Sequence, residues 1–478
     1  MVTGGRPLNG SVKIPAAKNS VLPLFAASLL CTGEVRLQAV PRLADVEHCM
    51  ALLRGVGCAA RWEGSDAVLS GPPANSTLPG QTAGQMRASI LFCAPLLARL
   101  GRAETSLPGG CRIGARPIDL HLAGLAKMGA VELEAGEGRL VLTAPSGLHG
   151  AEITLRFPSV GATETLLLAA ACAKGRTILR GAAREPEIAD LAAFLNRCGG
   201  CIEGAGSSTI RIEGRRGLSG CCFSPLPDRI FASTLACGCA AAGGRMELIG
   251  CAPALYAPVL EILGQMGCRV EPAGDTVRIS RFGRLHGAGR VFTGAYPALA
   301  TDAAPLLAAA MLCADSESSI EDVIFERRFG CAEGFCRLGA QAETAGRVLT
   351  IAPGGLLRGT EVEAPDLRGG AALVLAGLAA RGTTVITHPA HIDRGYAGFT
   401  EILAGLGAQI RRESAPGNGT VKKTSAKNKF VLQSGQKDDT IQLYKYSIEL
   451  FLCEKRRFTI TYPMEDKSYG THARRRNG

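Results

Sequence analysis

Hydrophobic and polar positions alternate along this chain in two different periods. The alternation in "TEVEAPD" (360 to 366) predicts a strand. The run that follows, "LRGGAALVLAGLAA", is apolar and small on nearly every face and predicts a helix buried all round, closed by a glycine. Strand "GTTVITH", helix "YAGFTEILAGLG" and a further strand come next. Pairs such as "RLVLTA" and "TIRIEG" supply a second closing strand elsewhere. The unit reads β-α-β-α-β-β, and several such units must turn their Ala-, Leu- and Gly-rich helices inward with the strands outside.

Two anchors show that the unit recurs six times. A Leu-x-Gly turn ends at Gly10, Gly80, Gly150, Gly220, Gly287 and Gly359, a step of about 70 residues. A second glycine recurs out of phase with it, at Gly57, Gly129, Gly199, Gly267, Gly339 and Gly407. The residue after that glycine is Cys58 or Cys268 in two units and Ala130, Ala340 or Ala408 in three others. A cysteine that exchanges with alanine acts as a small hydrophobe.

Composition narrows the function classes. The 478 residues suffice for two or three ordinary domains. Aromatic residues make up 5%, which argues against a base-stacking nucleic-acid binder. The apolar stretch "VLPLFAASLL" is broken by Pro23, is too short for a membrane span and lacks the basic flank of a signal peptide, so a cytoplasmic protein is expected. Eighteen cysteines in a chain this long do not read as a disulfide scaffold, and "CGGC" (198 to 201) lacks the partners of a zinc set. No metal or cofactor is expected. The net charge of +11 is uneven: after Pro416 there are thirteen basic and six acidic residues. A composition break at "ESAPGNGT" therefore sets off residues 413 to 478 as a basic, disordered or adventitious extension.

Candidate chemistry gathers just before helix starts. The first helices of the six units are preceded by Lys18; Arg87; Ser159 with Gly161; Asp228 with Arg229; Asp302; and Asp366 with Arg368. Second helices begin near Cys111 and Arg116, Glu185 and Glu187, Glu326 and Arg328, and Arg394. N-capping accounts for aspartates. Lysine and arginine oppose the helix dipole there, so they point to a cleft that binds a polyanion. Cys111 stands in "SLPGGCRIGARPIDLH" (106 to 121), a glycine-rich loop between two prolines with Arg112 and Arg116 beside it. Positive neighbours lower a thiol pKa from its usual value of about 8.5, which suits a proton donor or nucleophile.

These motifs, with "AAKNSVLP", "SVGAT", "AAREPEI", "LPDRI", "DLRGGAALVLAG" and "HIDRGY", resemble those of the bacterial UDP-N-acetylglucosamine 1-carboxyvinyltransferases, in order and spacing, from about residue 3 to 412. The resemblance implies an inside-out α/β barrel: two globular domains of three βαβαββ repeats each, with the active site in the cleft between them. One domain would span 18–226, and the other 1–17 plus 227–412. The implied reaction moves the enolpyruvyl group of phosphoenolpyruvate to the 3-hydroxyl of UDP-N-acetylglucosamine, with release of phosphate, as the first committed step of peptidoglycan precursor synthesis. By resemblance, Cys111 delivers a proton to the enol carbon and Asp302 accepts the hydroxyl proton. Lys18, Asn19, Arg116, Arg368 and Arg394 would hold phosphoenolpyruvate. Arg87, Arg116, Pro117, Ile118, Asp119, Leu120, Ser159, Val160, Asp302 and Ile324 would line the UDP-sugar site. His121 is given a positional role.

The sequence also departs from that pattern. Phe231 stands where an acid is usual, Phe157 and Ala44 where a basic residue is common, with Arg42 expected to compensate for the latter. The short N-terminal strand is expected to fray. Two alternatives follow: an inactive UDP-sugar-binding homologue, or 5-enolpyruvylshikimate-3-phosphate synthase, which shares the fold but lacks a loop like "GGCRIGARP".

Overall fold

Among the described residues, six small sheets, five of four strands and one of three, carry the strands of this mixed α/β protein. The computed structural model describes residues 1 to 413 except Pro108, residues 110 to 112, residues 115 and 116, and Glu137. Cys111, Arg112, Arg116 and the basic extension beyond residue 413 thus lie outside the described residues, and so do the expectations placed on them.

Each sheet corresponds to one repeat; the second and fifth repeats build theirs from consecutive chain, and so does the third. There Glu152–Thr154 pairs in parallel with Arg176–Arg180, which continues antiparallel through Thr209–Glu213 to Cys201–Glu203. Three other sheets borrow a strand. Cys222–Phe223 joins Val35–Leu37 of the first repeat, and Leu8–Lys13 joins Gly244–Ile249 of the fourth. Val2–Thr3 lies between Thr383–Thr387 and Gln409–Ile410 of the sixth. The expected fraying of the first strand is corrected here: Val2 is buried, and the Met1 ammonium donates to the Arg411 carbonyl at 2.8 Å.

The helices are buried as their composition requires. Arg229–Ala242, Ala304–Met311 and Leu367–Ala379 pack on one another, with all eight residues of Ala304–Met311 buried. Lys18–Ser28, Cys93–Leu100 and Val160–Ala170 belong to a second helix group. Small residues allow this: a Cβ on Gly238 would sit 3.2 Å from Leu375 Cδ2. One apolar cluster runs from Val21 to Leu218, and a second joins Val2, Leu8 and Ile14 to residues between Ile230 and Ala408.

Both glycine anchors have a physical cause. Gly57, Gly129, Gly199, Gly267, Gly339 and Gly407 all hold φ between +94° and +104°, where side chains are strained. Four of the Leu-x-Gly glycines, Gly150, Gly220, Gly287 and Gly359, lie against the backbone of a neighbouring segment. A Cβ would meet a carbonyl oxygen at 2.2 Å on Gly150, 2.0 Å on Gly220 and 2.3 Å on Gly359. The Cys58 and Cys268 side chains are buried like Ala130 and Ala408, so their exchange with alanine is a matter of packing.

Candidate active site

Two helix N-termini meet at one carboxylate. Asp228 caps Arg229–Ala242 through Oδ1, which accepts from the N–H groups of Ile230 at 2.9 Å and Phe231 at 2.8 Å. Its Oδ2 accepts from the N–H of Lys18, the first residue of Lys18–Ser28, at 3.3 Å. The adjoining segments are tied as well: Ala17 N–H donates to Leu226 O at 2.7 Å and Asp228 N–H to Pro15 O at 2.8 Å. The positive ends of two helix dipoles are thereby aimed at one place.

Around that point the predicted cations converge. The buried Lys18 ammonium lies 2.6 Å from Asp45 Oδ2. Arg394 reaches the same carboxylate from the far end of the chain, Nε to Oδ1 at 3.0 Å and Nη2 to Oδ2 at 3.3 Å. Burial lowers the Lys18 pKa, and Arg368 and Arg394 push the same way against Asp45. Asp45 is held below the usual carboxylate range: burial opposes this, and Lys18 and Arg394 prevail.

Asp302 forms the second node. Its Oδ2 accepts from Arg368 Nη2 at 3.1 Å and Nε at 3.2 Å, and its Oδ1 from Arg328 Nη2 at 2.5 Å. Both arginines are buried, while the Asp302 side chain is 29% exposed. Burial would raise its pKa, but Arg368 and Arg328 hold it far down, so it is a carboxylate at neutral pH. Arg368 also feels Asp228 and Tyr396, which joins the two nodes into one network.

The expected UDP-sugar residues of the first half make contacts of their own. Arg87 Nη2 donates to Pro117 O at 3.0 Å. Arg156 pairs with Asp119, the first residue of Asp119–Lys127. His121 Nδ1 lies 2.8 Å from Thr165 Oγ1, and the ring packs so close to Gly161 that a Cβ there would be 3.1 Å from Cε1. Burial, then Arg87, lower the His121 pKa to about 4, so its ring is neutral at neutral pH. Ser159 caps Val160–Ala170 by accepting from Ala162 N–H at 3.3 Å. Pro117, Ile118, Leu120 and Val160 flank these groups in sequence.

The segment holding Ile324 meets the cysteine loop. Asp322 Oδ1 accepts from the N–H groups of Ile324 and Phe325, each at 2.8 Å. Arg327 N–H donates to Ile113 O at 3.0 Å, and a Cβ on Gly114 would strike Glu326 Oε2 at 2.3 Å. Gly109 is as tight, its added Cβ lying 1.9 Å from Gly84 O. Gly109 and Gly114 therefore serve close approach, and Gly114 conformational freedom as well.

Sequence reasoning missed Asp45 and left Arg328 without a role. Asp45 sits in the first turn of Ala44–Gly55, where an acid is ordinary dipole compensation, so nothing local marked it. Arg42 does not replace the basic residue expected at Ala44: it stacks on Trp62 at 4.3 Å and donates to Gly64 O. Phe231 is buried in an aromatic cluster with Tyr396 and Phe399, at centroid distances of 5.6 and 6.2 Å. Arg368, which stacks on Tyr396 at 5.2 Å, keeps a buried Nη1 with no hydrogen-bond partner among the described residues. Phe157 is 44% exposed. Asn19 is half-buried next to Lys18.

The fold of repeated small sheets and buried helices is that of the enolpyruvyl transferases. The sequence pattern of the family described as EPSP synthase (3-phosphoshikimate 1-carboxyvinyltransferase) matches residues 2–403. Among solved structures, the enolpyruvyl transferase NikO from Streptomyces tendae superposes with a TM-score of 0.78 at 26% identity, over 87% of this chain and 98% of its own. EPSP synthase from Acinetobacter baumannii shares the fold, with a TM-score of 0.66 at 20% identity over 86% of this chain and 99% of its own.

Sequence relatives narrow the assignment. The UDP-N-acetylglucosamine 1-carboxyvinyltransferase of Finegoldia magna is 43% identical over 85% of this chain and 96% of its own length. Those of Solidesulfovibrio magneticus and Acidiphilium cryptum are each 44% identical over 86% of this chain, and over 99% and 98% of their own lengths. The chain belongs to the UDP-N-acetylglucosamine 1-carboxyvinyltransferase family.

Proposed function

We propose that the Lys18, Asp45, Arg394, Arg368 and Asp302 network is the reaction centre of this family's chemistry in this chain. The enzyme transfers the enolpyruvyl group of phosphoenolpyruvate to UDP-N-acetylglucosamine. Phosphoenolpyruvate carries two anionic groups, and Lys18, Arg394, Arg368 and Arg116, with Asn19, hold them. Asp45 keeps Lys18 and Arg394 charged and oriented until substrate phosphate competes for them. Cys111 protonates the enol methylene carbon, and the sugar 3-hydroxyl adds to the neighbouring carbon. Asp302 takes the hydroxyl proton. Its deep ion pairing makes it a weak base, so the step requires Arg368 to turn part of its charge toward the substrate phosphate. The tetrahedral adduct then loses a proton and phosphate. Arg87, Pro117, Ile118, Asp119, Leu120, Ser159, Val160 and Ile324 bind the UDP-sugar.

The two apolar clusters support a two-domain reading, 18–226 and 1–17 with 227–412, as an inside-out α/β barrel whose cleft holds the site. The setting is cytoplasmic; among the described residues no helix is long and apolar enough to cross a membrane. The carrying observation is that Lys18, Asp45 and Arg394, up to 376 positions apart by sequence number, share one buried ion cluster.

The test is phosphate release from phosphoenolpyruvate, with and without UDP-N-acetylglucosamine, repeated after treatment with the epoxide fosfomycin. Sugar-dependent release that fosfomycin abolishes is the expected result. UDP-sugar binding without release would favour the inactive homologue, with Phe157 and Phe231 the first substitutions to revert.

A further inference from the structure

The "CGGC" spacing suggests that Cys198 and Cys201 belong together, but the fold gives Cys198 a different neighbour. Its thiol points at the sulfur of Cys221, with the two Sγ atoms 3.2 Å apart. Cys198 caps Pro186–Arg197, whereas Cys221 directly precedes the borrowed strand Cys222–Phe223. Backbone bonds that involve neither sulfur hold both. The Cys198 carbonyl accepts from Ser219 N–H at 2.8 Å and Ser219 Oγ at 3.0 Å, and the Cys221 carbonyl from Arg36 N–H at 2.8 Å. A third thiol, Cys31, is brought near by the bridge between Cys31 and Leu218 and, ahead of burial, raises the Cys198 pKa.

We propose that Cys198 and Cys221 are a reversible disulfide site, oxidised by small-molecule disulfides of the glutathione class, that fastens the segment leading out of residue 214 to the end of helix Pro186–Arg197. The inference is independent of the reaction assigned above. The half-buried Cys221 reacts first. It loses its proton to solvent, and its thiolate attacks one sulfur of the small disulfide, forming a mixed disulfide and expelling one thiolate. Cys198 then gives up its proton to solvent, attacks Cys221 Sγ and expels the second. Two electrons pass from the protein sulfurs to the reagent, and two small thiols leave. The sulfurs have only to close from 3.2 Å to a bond of about 2.05 Å.

The groups facing Cys221 are Cys198, Cys222 and Arg197. Burial and Cys198 push its thiol up to about 12, and Arg197 opposes them. The site is therefore slow near neutral pH, and crosslinking should quicken about tenfold for each unit between pH 7 and 9.

The experiment incubates the full chain with oxidised glutathione, blocks remaining thiols by alkylation and digests with trypsin without reduction. The expected product joins the peptides 198–211 and 217–229. It should disappear on reduction and in Cys198→Ser and Cys221→Ser, yet persist in Cys201→Ser and Cys222→Ser. Thermal unfolding of each serine variant confirms that it is folded. Mixed glutathione disulfides without the linked peptide, or a link that is lost in Cys201→Ser or Cys222→Ser, would overturn the proposal.

Discussion

The buried Asp45 carboxylate shows how much one residue carries here. It answers two cations, and removing its charge strands Lys18 in a site that water scarcely reaches. Breaking one side of a buried pair costs about 3–5 kcal/mol. Asp45→Asn is expected to lower stability in urea by that order and to reduce phosphate release at least about tenfold; unchanged values on both would remove Asp45 from the site. Cys111→Ser should abolish turnover or slow it severely, because a hydroxyl is a far weaker acid than a thiol. Cys111→Asp should keep measurable turnover and escape fosfomycin labelling at that position. Wild-type rates in the serine variant, or labelling of the aspartate variant, would refute proton delivery by residue 111.

His121 gives a pH prediction. Its folded pKa of about 4 lies below the usual value of about 6.5, so the unfolded chain takes up the proton first. Above pH 6.5 the group contributes nothing to the pH dependence. Between about 6.5 and 4 it draws stability away as pH falls, by on the order of 3 kcal/mol, and below 4 the loss is complete. His121→Asn should therefore lose less stability than the wild type between pH 7 and 4 in urea titrations. Parallel curves would mean that the folded imidazole titrates like the unfolded one.

At the scale of elements, the glycines separate two kinds of constraint. Gly199 has φ +94° with open space around its would-be Cβ, so alanine there strains only the backbone. The expected cost is about 1 kcal/mol. At Gly150 the Cβ would sit 2.2 Å from Arg176 O, and one strand must move off its neighbour. Gly150→Ala should thus cost clearly more than Gly199→Ala in chemical denaturation, and the reverse order would contradict the packing. The six-fold periodicity was legible in the sequence because these constraints recur at each turn. Strand borrowing was not legible in the hydrophobic pattern, since Cys222–Phe223 and Val2–Thr3 are two residues each, too short for an alternation to reveal; the resemblance alone placed residues 1–17 with 227–412.

For the whole molecule, the family match ends at residue 403, and the relatives are covered almost to their full lengths by 85 to 87% of this chain. Removal of residues 416 to 478 is accordingly expected to leave phosphate release and the thermal midpoint unchanged. A large loss of either would give those residues a structural task.

By itself the sequence determined the repeat, the buried small-residue helices and the gathering of ionisable groups at helix starts. Each of these is set by local chemistry: backbone conformation at glycine, apolar periodicity, and charge beside a dipole. Through resemblance it also indicated the reaction class. Only the tertiary structure decided which charges neutralise one another. Asp45 between Lys18 and Arg394, Asp302 between Arg368 and Arg328, and Cys198 against Cys221 all join segments far apart in sequence. Such pairings follow from how the helices and sheets pack, and no spacing along the chain encodes them.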